Sequence, residues 1–170
     1  VPTVQVIPQN WQAKTLRIGY IEGAGDDVAR VLQFAGVQVD VLKNGDINQA
    51  NLSKYDAVLV GIRAINVNEQ SPLWMPVLLK YAEEGGTLVM QYNTNQRLNT
   101  TNIGPYPFTI GRERVTEEDA KVTMLDETHR LLNYPNKITQ ADFDGWVQER
   151  GLYFAEKWDE RYTTLFSMND

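Results

Sequence analysis

Cysteine is absent from all 170 residues. That single absence removes disulfides, thiolate metal sites and every cysteine nucleophile. Histidine is nearly absent: His129 stands alone, which leaves little room for a histidine-rich metal site or a histidine relay. Long apolar runs are missing too. The longest, Ala57-Val58-Leu59-Val60-Gly61-Ile62, is six residues, against the ~20 needed to cross a bilayer. There is no basic excess either: 16 Lys and Arg face 22 Asp and Glu, for a net charge of −6. Because phosphate neutralisation dominates nucleic-acid affinity, nucleic acid is not an expected partner, and neither is membrane insertion.

What remains is an ordinary globular composition, 42% apolar and 22% charged, long enough to bury a sizeable core in one domain. Residues 1–14 carry two prolines and no clean period and read as a linker or entry segment. Residues 15–170 read as a single domain. The opening Val-Pro without methionine is expected of a mature chain or an excised piece.

Leu16 to Ile21 reads as a buried strand. Glu22-Gly23-Ala24-Gly25-Asp26-Asp27 follows as a turn and N-cap, with acids where a helix dipole favours them. Val28, Val31, Leu32 and Ala35 fall at i, i+3, i+4 and i+7, an amphipathic helix that Gly36 stops. Val37 to Leu42 alternates as a strand, and 46–56 is polar loop or a short helical turn. Ala57 to Ile62 suits a strand buried on both faces. Pro72 to Glu84 predicts a helix with Trp74, Val77, Leu78 and Tyr81 on one face, ended by Gly85-Gly86, and Pro76 belongs in its first turn or at its start. Thr87 to Tyr92 is the next strand. Strands alternating with helices at this spacing predict a parallel sheet with right-handed crossovers. The stretch 93–119, rich in Asn, Thr, Gly and Pro, is too long for a passive connection. Val122–Leu125 and Tyr162–Phe166 are later strand candidates, and 139–150 holds a candidate helix.

Several constellations bear on chemistry. Gly23-x-Gly25 lies between a strand and a helix, where a phosphate loop would lie. The third glycine is Val28 and two carboxylates follow, so a plain tight turn is favoured over a nucleotide site spanning Gly23 to Asp27. In an open parallel sheet, ligands sit beyond the carboxyl ends of the strands. Those ends offer Glu22, Arg63, Tyr92, Asn93 and Asn95, a set suited to a polyhydroxylated ligand such as a sugar. The plainer alternative is that Glu22 and Arg63 pair across the rim. His129 follows Asp126 and Glu127 and is a further candidate, although a lone histidine is more often structural. Asp142-x-Asp144 before Gly145 is similar to the start of a calcium loop but lacks its distal Glu, so a turn is favoured. Trp146, Tyr153, Phe154, Trp158 and Tyr162 make the last third aromatic. Burial is the favoured reading for them, and an exposed carbohydrate-stacking face the other.

The turn Glu22–Asp27, the segment Tyr55-Asp56-Ala57-Val58-Leu59-Val60-Gly61-Ile62-Arg63-Ala64, and Tyr81-Ala82-Glu83-Glu84-Gly85-Gly86-Thr87-Leu88-Val89 together resemble the class I glutamine-amidotransferase-like fold, in its ThuA-like branch. Three later strings run from Arg114 to Val122, from His129 to Thr139 and from Asp142 to Phe154. They are similar to the C-terminal domain attached to bacterial PIG-L (LmbE-type) deacetylases. The resemblance implies a three-layer, doubly wound, mostly parallel α/β fold of flavodoxin-like kind. It places the family's nucleophile near Tyr92, where neither Tyr92 nor Asn93 can attack an amide and Thr94 has no evident base. The zinc motif of the deacetylases, which belongs to a separate domain, is not matched here. Arg130 stands where that likeness implies proline, and the related domains continue past Ser167–Asp170, which implies a chain cut short at its C-terminus.

The resulting expectation is a non-catalytic accessory domain of a carbohydrate deacetylase acting on N-acetylglucosamine-type sugars. It would bind glycan or pack on the catalytic domain of the same parent chain, with no cofactor and no metal, in the periplasm or cell envelope or, alternatively, in the cytoplasm. The rival expectation is a ThuA-like sugar-processing enzyme using Glu22, His129 and Tyr92 in acid/base roles.

Overall fold

The computed structural model describes residues 15–144 and 151–168. The entry segment expected over 1–14, together with Trp146 and Gly145, lies outside them. Four strands, β1 (Arg17–Ile21), β2 (Gln38–Leu42), β3 (Ala57–Val60) and β4 (Thr87–Met90), form one parallel sheet in the order β2-β1-β3-β4. The protein is therefore α/β, as the alternation of strand and helix signals dictates.

Alternate side chains along each strand feed two separate cores, because successive Cβ atoms point to opposite faces. Ile21, Leu42, Val58 and Val60 face one core, where Leu52 of α2 (Gln49–Leu52) and Trp74, Met75, Leu78 and Tyr81 of α4 (Ser71–Glu83) cover them. Ile18, Tyr20 and Val39 face the other, against Val28, Ala29 and Leu32 of α1 (Val28–Phe34). Here the expected helix stripe is displaced. Val31 is exposed, Ala29 takes its place, and no residue of α1 is fully buried. A lone seven-residue helix is too short to cover a four-stranded face. Val41 and Val89, in the same cross-strand row as Tyr20 and Leu59, accordingly stay 41% and 45% exposed.

Helix α4 starts at Ser71 and carries Pro76 inside it, not at its start. The amide hydrogen bond that Pro76 cannot make would have gone to the carbonyl of Pro72, and both prolines lie on the exposed face of the helix. Met75 is fully buried, and Val77, placed by periodicity on the inner face, only partly so. Gly85 ends the helix at φ 97°, and the Gly86 N–H returns to Tyr81 O at 2.9 Å.

Beyond β4 the chain builds two antiparallel ribbons. One pairs β5 (Phe108–Ile110) with β7 (Ala155–Trp158), the other β6 (Val122–Met124) with β8 (Phe166–Met168). A further turn of helix, α3 (Ala64–Val67), follows β3, and α5 (Arg130–Asn133) follows β6. The expected strand at 162–166 is displaced to β8, and 140–143 is a single 3-10 turn. Among the described residues no helix is long and apolar enough to cross a membrane.

Candidate functional site

The chain leaves β1 toward β2 on one side of the sheet and returns to β3 on the other, so the carboxyl ends of β1 and β3 border the crevice where open α/β sheets take ligands. In this protein that crevice is sewn shut. Ala24 N–H donates to Ile62 O at 2.7 Å. The Asp26 carboxylate reaches across from the β1–α1 turn. Its Oδ2 accepts from Ile62 N–H at 3.2 Å, and its Oδ1 accepts from Val28 N–H at 2.9 Å and from the Tyr20 hydroxyl at 2.6 Å. Two glycines make the approach feasible. A Cβ on Gly23 would lie 2.0 Å from Ile62 O, and one on Gly61 would lie 2.6 Å from the Tyr20 hydroxyl. The backbone amides that a phosphate would need are thus occupied by the protein's own carboxylate, which favours the tight-turn reading of Gly23-x-Gly25.

The electrostatics follow from this knot. Burial pushes the Asp26 carboxyl up, but the hydrogen bonds from Tyr20, Val28 and Ile62 outweigh it, and the group sits below the usual carboxylate range. Burial first, and the hydrogen bond to Asp26 second, push the Tyr20 phenol well above its ordinary value. The Gln91 amide lies beside Asp26, yet its Nε2 meets no acceptor in hydrogen-bonding geometry. Asp26 carried no sequence signal beyond its place in a turn, because its partners Tyr20 and Ile62 lie 6 and 36 residues away.

The residues nominated from the sequence have separate fates. Glu22 is exposed and pairs with Lys43 at 3.1 Å, not with Arg63, because β2 lies on the outer side of β1 and brings Lys43 alongside. Arg63 has left-handed backbone, φ 55° and ψ 24°, and its N–H donates to Tyr92 O at 2.9 Å. Its Nε is buried without an acceptor. Tyr92 is 45% exposed. Asn93 is buried: its Oδ1 accepts from Ile65 N–H at 3.1 Å and its Nδ2 donates to Gln91 O at 3.1 Å. Asn95 Oδ1 is buried and meets no donor. Arg63, Tyr92, Asn93 and Asn95 are therefore gathered at the ends of β3 and β4. His129 is not among them. It caps α5, its Nδ1 accepting from Leu131 N–H at 3.2 Å, and its other hydrogen bonds stay within its own turn.

The long polar stretch after β4 owes its asparagines to α3. Asn66 donates to Thr94 O and Gln96 O and accepts from Thr94 N–H, while Asn99 donates to the carbonyls of Ile65 and Asn68. Amides serve here because each offers a donor and an acceptor to backbone that no strand partner satisfies. The turn after β4 consequently presents a capped amide, Asn93, and a phenol, Tyr92. The Thr94 hydroxyl is spent on Gln96 O at 3.1 Å. Asp142 caps its own turn by accepting from Thr139 N–H at 2.7 Å, and no cluster of three metal-ligating side chains occurs among the described residues.

Two clefts flank the β5–β7 ribbon. The smaller, about 310 Å³, runs between Leu88, Met90 and Tyr92 on one side and Phe108, Ile110 and Tyr162 on the other. The larger, about 850 Å³, is lined by Phe108, Phe154, Trp158, Tyr162 and Phe166 together with Glu113, Arg114, Glu156 and Thr163. None of Tyr153, Phe154, Trp158 and Tyr162 is fully buried, and Trp158 is 48% exposed, contrary to the favoured burial. Trp158 stands on a two-stranded ribbon and the other three flank it, and that ribbon has no third layer to enclose them. Tyr162 is fixed between the clefts. Its hydroxyl donates to Tyr106 O at 2.7 Å and accepts from Tyr106 N–H at 3.1 Å, and its ring meets Phe108 edge-on at 5.7 Å.

Comparison with family models, with curated proteins and with solved structures gives no match.

Proposed function

We propose that this chain is a non-catalytic accessory domain of the class I glutamine-amidotransferase-like, flavodoxin-like kind, and that it holds a glycan for a carbohydrate deacetylase domain. The strand order β2-β1-β3-β4 agrees with the first four positions of the flavodoxin-like arrangement. The turn after β4 offers no nucleophile with a base beside it, which favours binding over catalysis. The ThuA-type enzyme reading draws on Glu22, Tyr92 and His129, yet Glu22 is engaged with Lys43 and His129 with the turn it caps.

The observation that carries the proposal is the larger cleft. Partly exposed aromatic faces, Trp158 the most open of them, beside carboxylates and a guanidinium suit a sugar, whose apolar ring face stacks while its hydroxyls take bidentate hydrogen bonds. A location in the cell envelope, where such glycans occur, belongs to the same proposal.

Titration calorimetry with N-acetylglucosamine oligomers tests it. Binding that Trp158→Ala weakens at least tenfold, with the fold intact by circular dichroism, is the expected result. No binding to any oligomer, together with shielding of Trp158 fluorescence on mixing with a deacetylase catalytic domain, would replace glycan binding by packing between domains.

A further inference from the structure

The two edges of the parallel sheet are unlike. β2 forms one and β4 the other. The β2 edge is guarded. Gln33 Nε2 donates to Val39 O at 3.4 Å, Asp40 within the strand is ion-paired with Arg17, and Lys43 follows directly. Charges and caps of this kind keep an edge from pairing with another chain. β4 has no such guard. Thr87-Leu88-Val89-Met90 holds no charge and no proline, and among the described residues its only strand partner is β3.

The free side of β4 follows from its ladder. Gln91 N–H, just past the strand, donates to Val60 O at 3.0 Å. Successive residues of a strand turn their N–H and C=O groups to opposite sides. Val89 therefore bonds toward β3, as Gln91 does, and Leu88 and Met90 turn theirs outward. Those outward groups make no hydrogen bond with any described residue. Leu88 and Met90 are also the β4 residues that line the smaller cleft, about 310 Å³, opposite Phe108 and Ile110 of β5. The unpaired ladder and the apolar hollow adjoin, and both are open to solvent: Leu88 and Met90 are partly exposed, and Val89 between them is 45% exposed.

We propose that β4 receives an extended peptide of a partner protein as a fifth strand. Pairing with the backbone of Leu88 and Met90 supplies its hydrogen bonds, and the cleft selects its side chains. Residues opposite each other on neighbouring strands share a face. The two peptide residues opposite Leu88 and Met90 thus project into the cleft, and the one between them lies beside Val89. A cavity of ~150 Å³ holds one benzene, so this cleft takes two branched aliphatic side chains. The partner motif is apolar at i and i+2. Because the β5–β7 ribbon walls the far side of so small a space, one extended segment enters it, and the edge of a second copy with its covering helices does not. None of this rests on the glycan reading of the larger cleft.

The probe is the capped peptide Lys-Thr-Val-Thr-Val-Thr-Lys, added to the 170-residue chain while amide hydrogen exchange is followed by NMR. In the dilute chain alone, the Leu88 and Met90 amides are expected to exchange at least tenfold faster than those of Val89 and Gln91. Saturating peptide is expected to slow Leu88 and Met90 at least tenfold and to leave Val39 and Val41, on the β2 edge, unchanged. N-methylation of the peptide amides along one of its edges should abolish that protection, and along the other edge should preserve it. Four results would each overturn the proposal. Protection in the dilute chain alone means that the chain covers its own edge. Protection that grows with protein concentration and not with peptide means that a second copy does. Protection indifferent to both N-methylation patterns means that the peptide fills the cleft without pairing, and no protection at saturating peptide means that the edge takes no strand of this kind.

Discussion

The Tyr20 hydroxyl donates to Asp26 Oδ1 at 2.6 Å, and through the other oxygen of that carboxylate the first strand is tied to the backbone of Ile62 beyond the third. The knot closes the crevice in which an open parallel sheet would otherwise receive a ligand.

Asp26→Ala orphans two backbone amides and a phenol. A loss of about 2 kcal/mol is expected in urea unfolding, since an unsatisfied donor costs ~1–3 kcal/mol. Asp27→Ala is the control, because exposed Asp27 only pairs with Arg30 three residues on, and its loss is expected to stay within about 0.5 kcal/mol. Equal effects of the two variants would refute the knot.

The same carboxylate predicts a pH dependence. Its folded value lies below its unfolded one, so between the two values the unfolded chain holds a proton that the native chain has released. Stability from this group is full above the unfolded value and is lost as pH falls through the folded one. The stability difference between wild type and Asp26→Asn is expected to be largest near neutrality and to shrink as acidification protonates the native carboxylate. A difference independent of pH would show that the charge contributes nothing.

Gly23→Ala forces a Cβ to 2.0 Å from Ile62 O, and backbone cannot yield as a side-chain tip can. A loss of about 3 kcal/mol or more is expected. A Cβ on Gly45 meets nothing within 4 Å, and Gly45→Ala should be close to neutral. Thermal unfolding of the two variants side by side makes the comparison.

Asn93→Ala removes the acceptor of the buried Ile65 N–H. Hydrogen exchange at Ile65 should then accelerate toward that of a fraying turn, and stability should fall by about 2 kcal/mol. Retained protection at Ile65 would mean that another acceptor holds α3.

Under the proposed amidotransferase-like reading, Tyr92→Cys places a thiol at the position that reading gives to a nucleophile. No glutaminase turnover above buffer is expected, because the sole histidine, His129, is committed to capping α5. Turnover by that variant would reverse the non-catalytic reading.

Four strands and the helix α4 are legible in the sequence because each carries its own local signal, whether an apolar run, an alternation or an i, i+3, i+4 stripe closed by glycine. The ribbons are not. β7 is exposed at all four positions, so it has no hydrophobic alternation to reveal it, and its partner β5 lies more than 40 residues earlier. The short helix α3 was hidden for a related reason. Its anchors, Asn93 and Asn99, belong to a stretch whose composition reads only as loop.

The candidate residues divide along the same line. Strand ends are predictable from the pattern, and Arg63, Tyr92, Asn93 and Asn95 do gather there. The partners they take are not predictable, since Lys43 claims Glu22 only because β2 flanks β1. By itself the sequence determined the α/β alternation, the missing thiol and the rim residues, all properties of neighbours along the chain. Only the tertiary structure decided that Asp26 would seal the crevice, that Asn93 would be consumed as a cap and that the Arg63 Nε would be buried with no acceptor among the described residues, because hydrogen bonds between distant segments depend on which strands fold side by side.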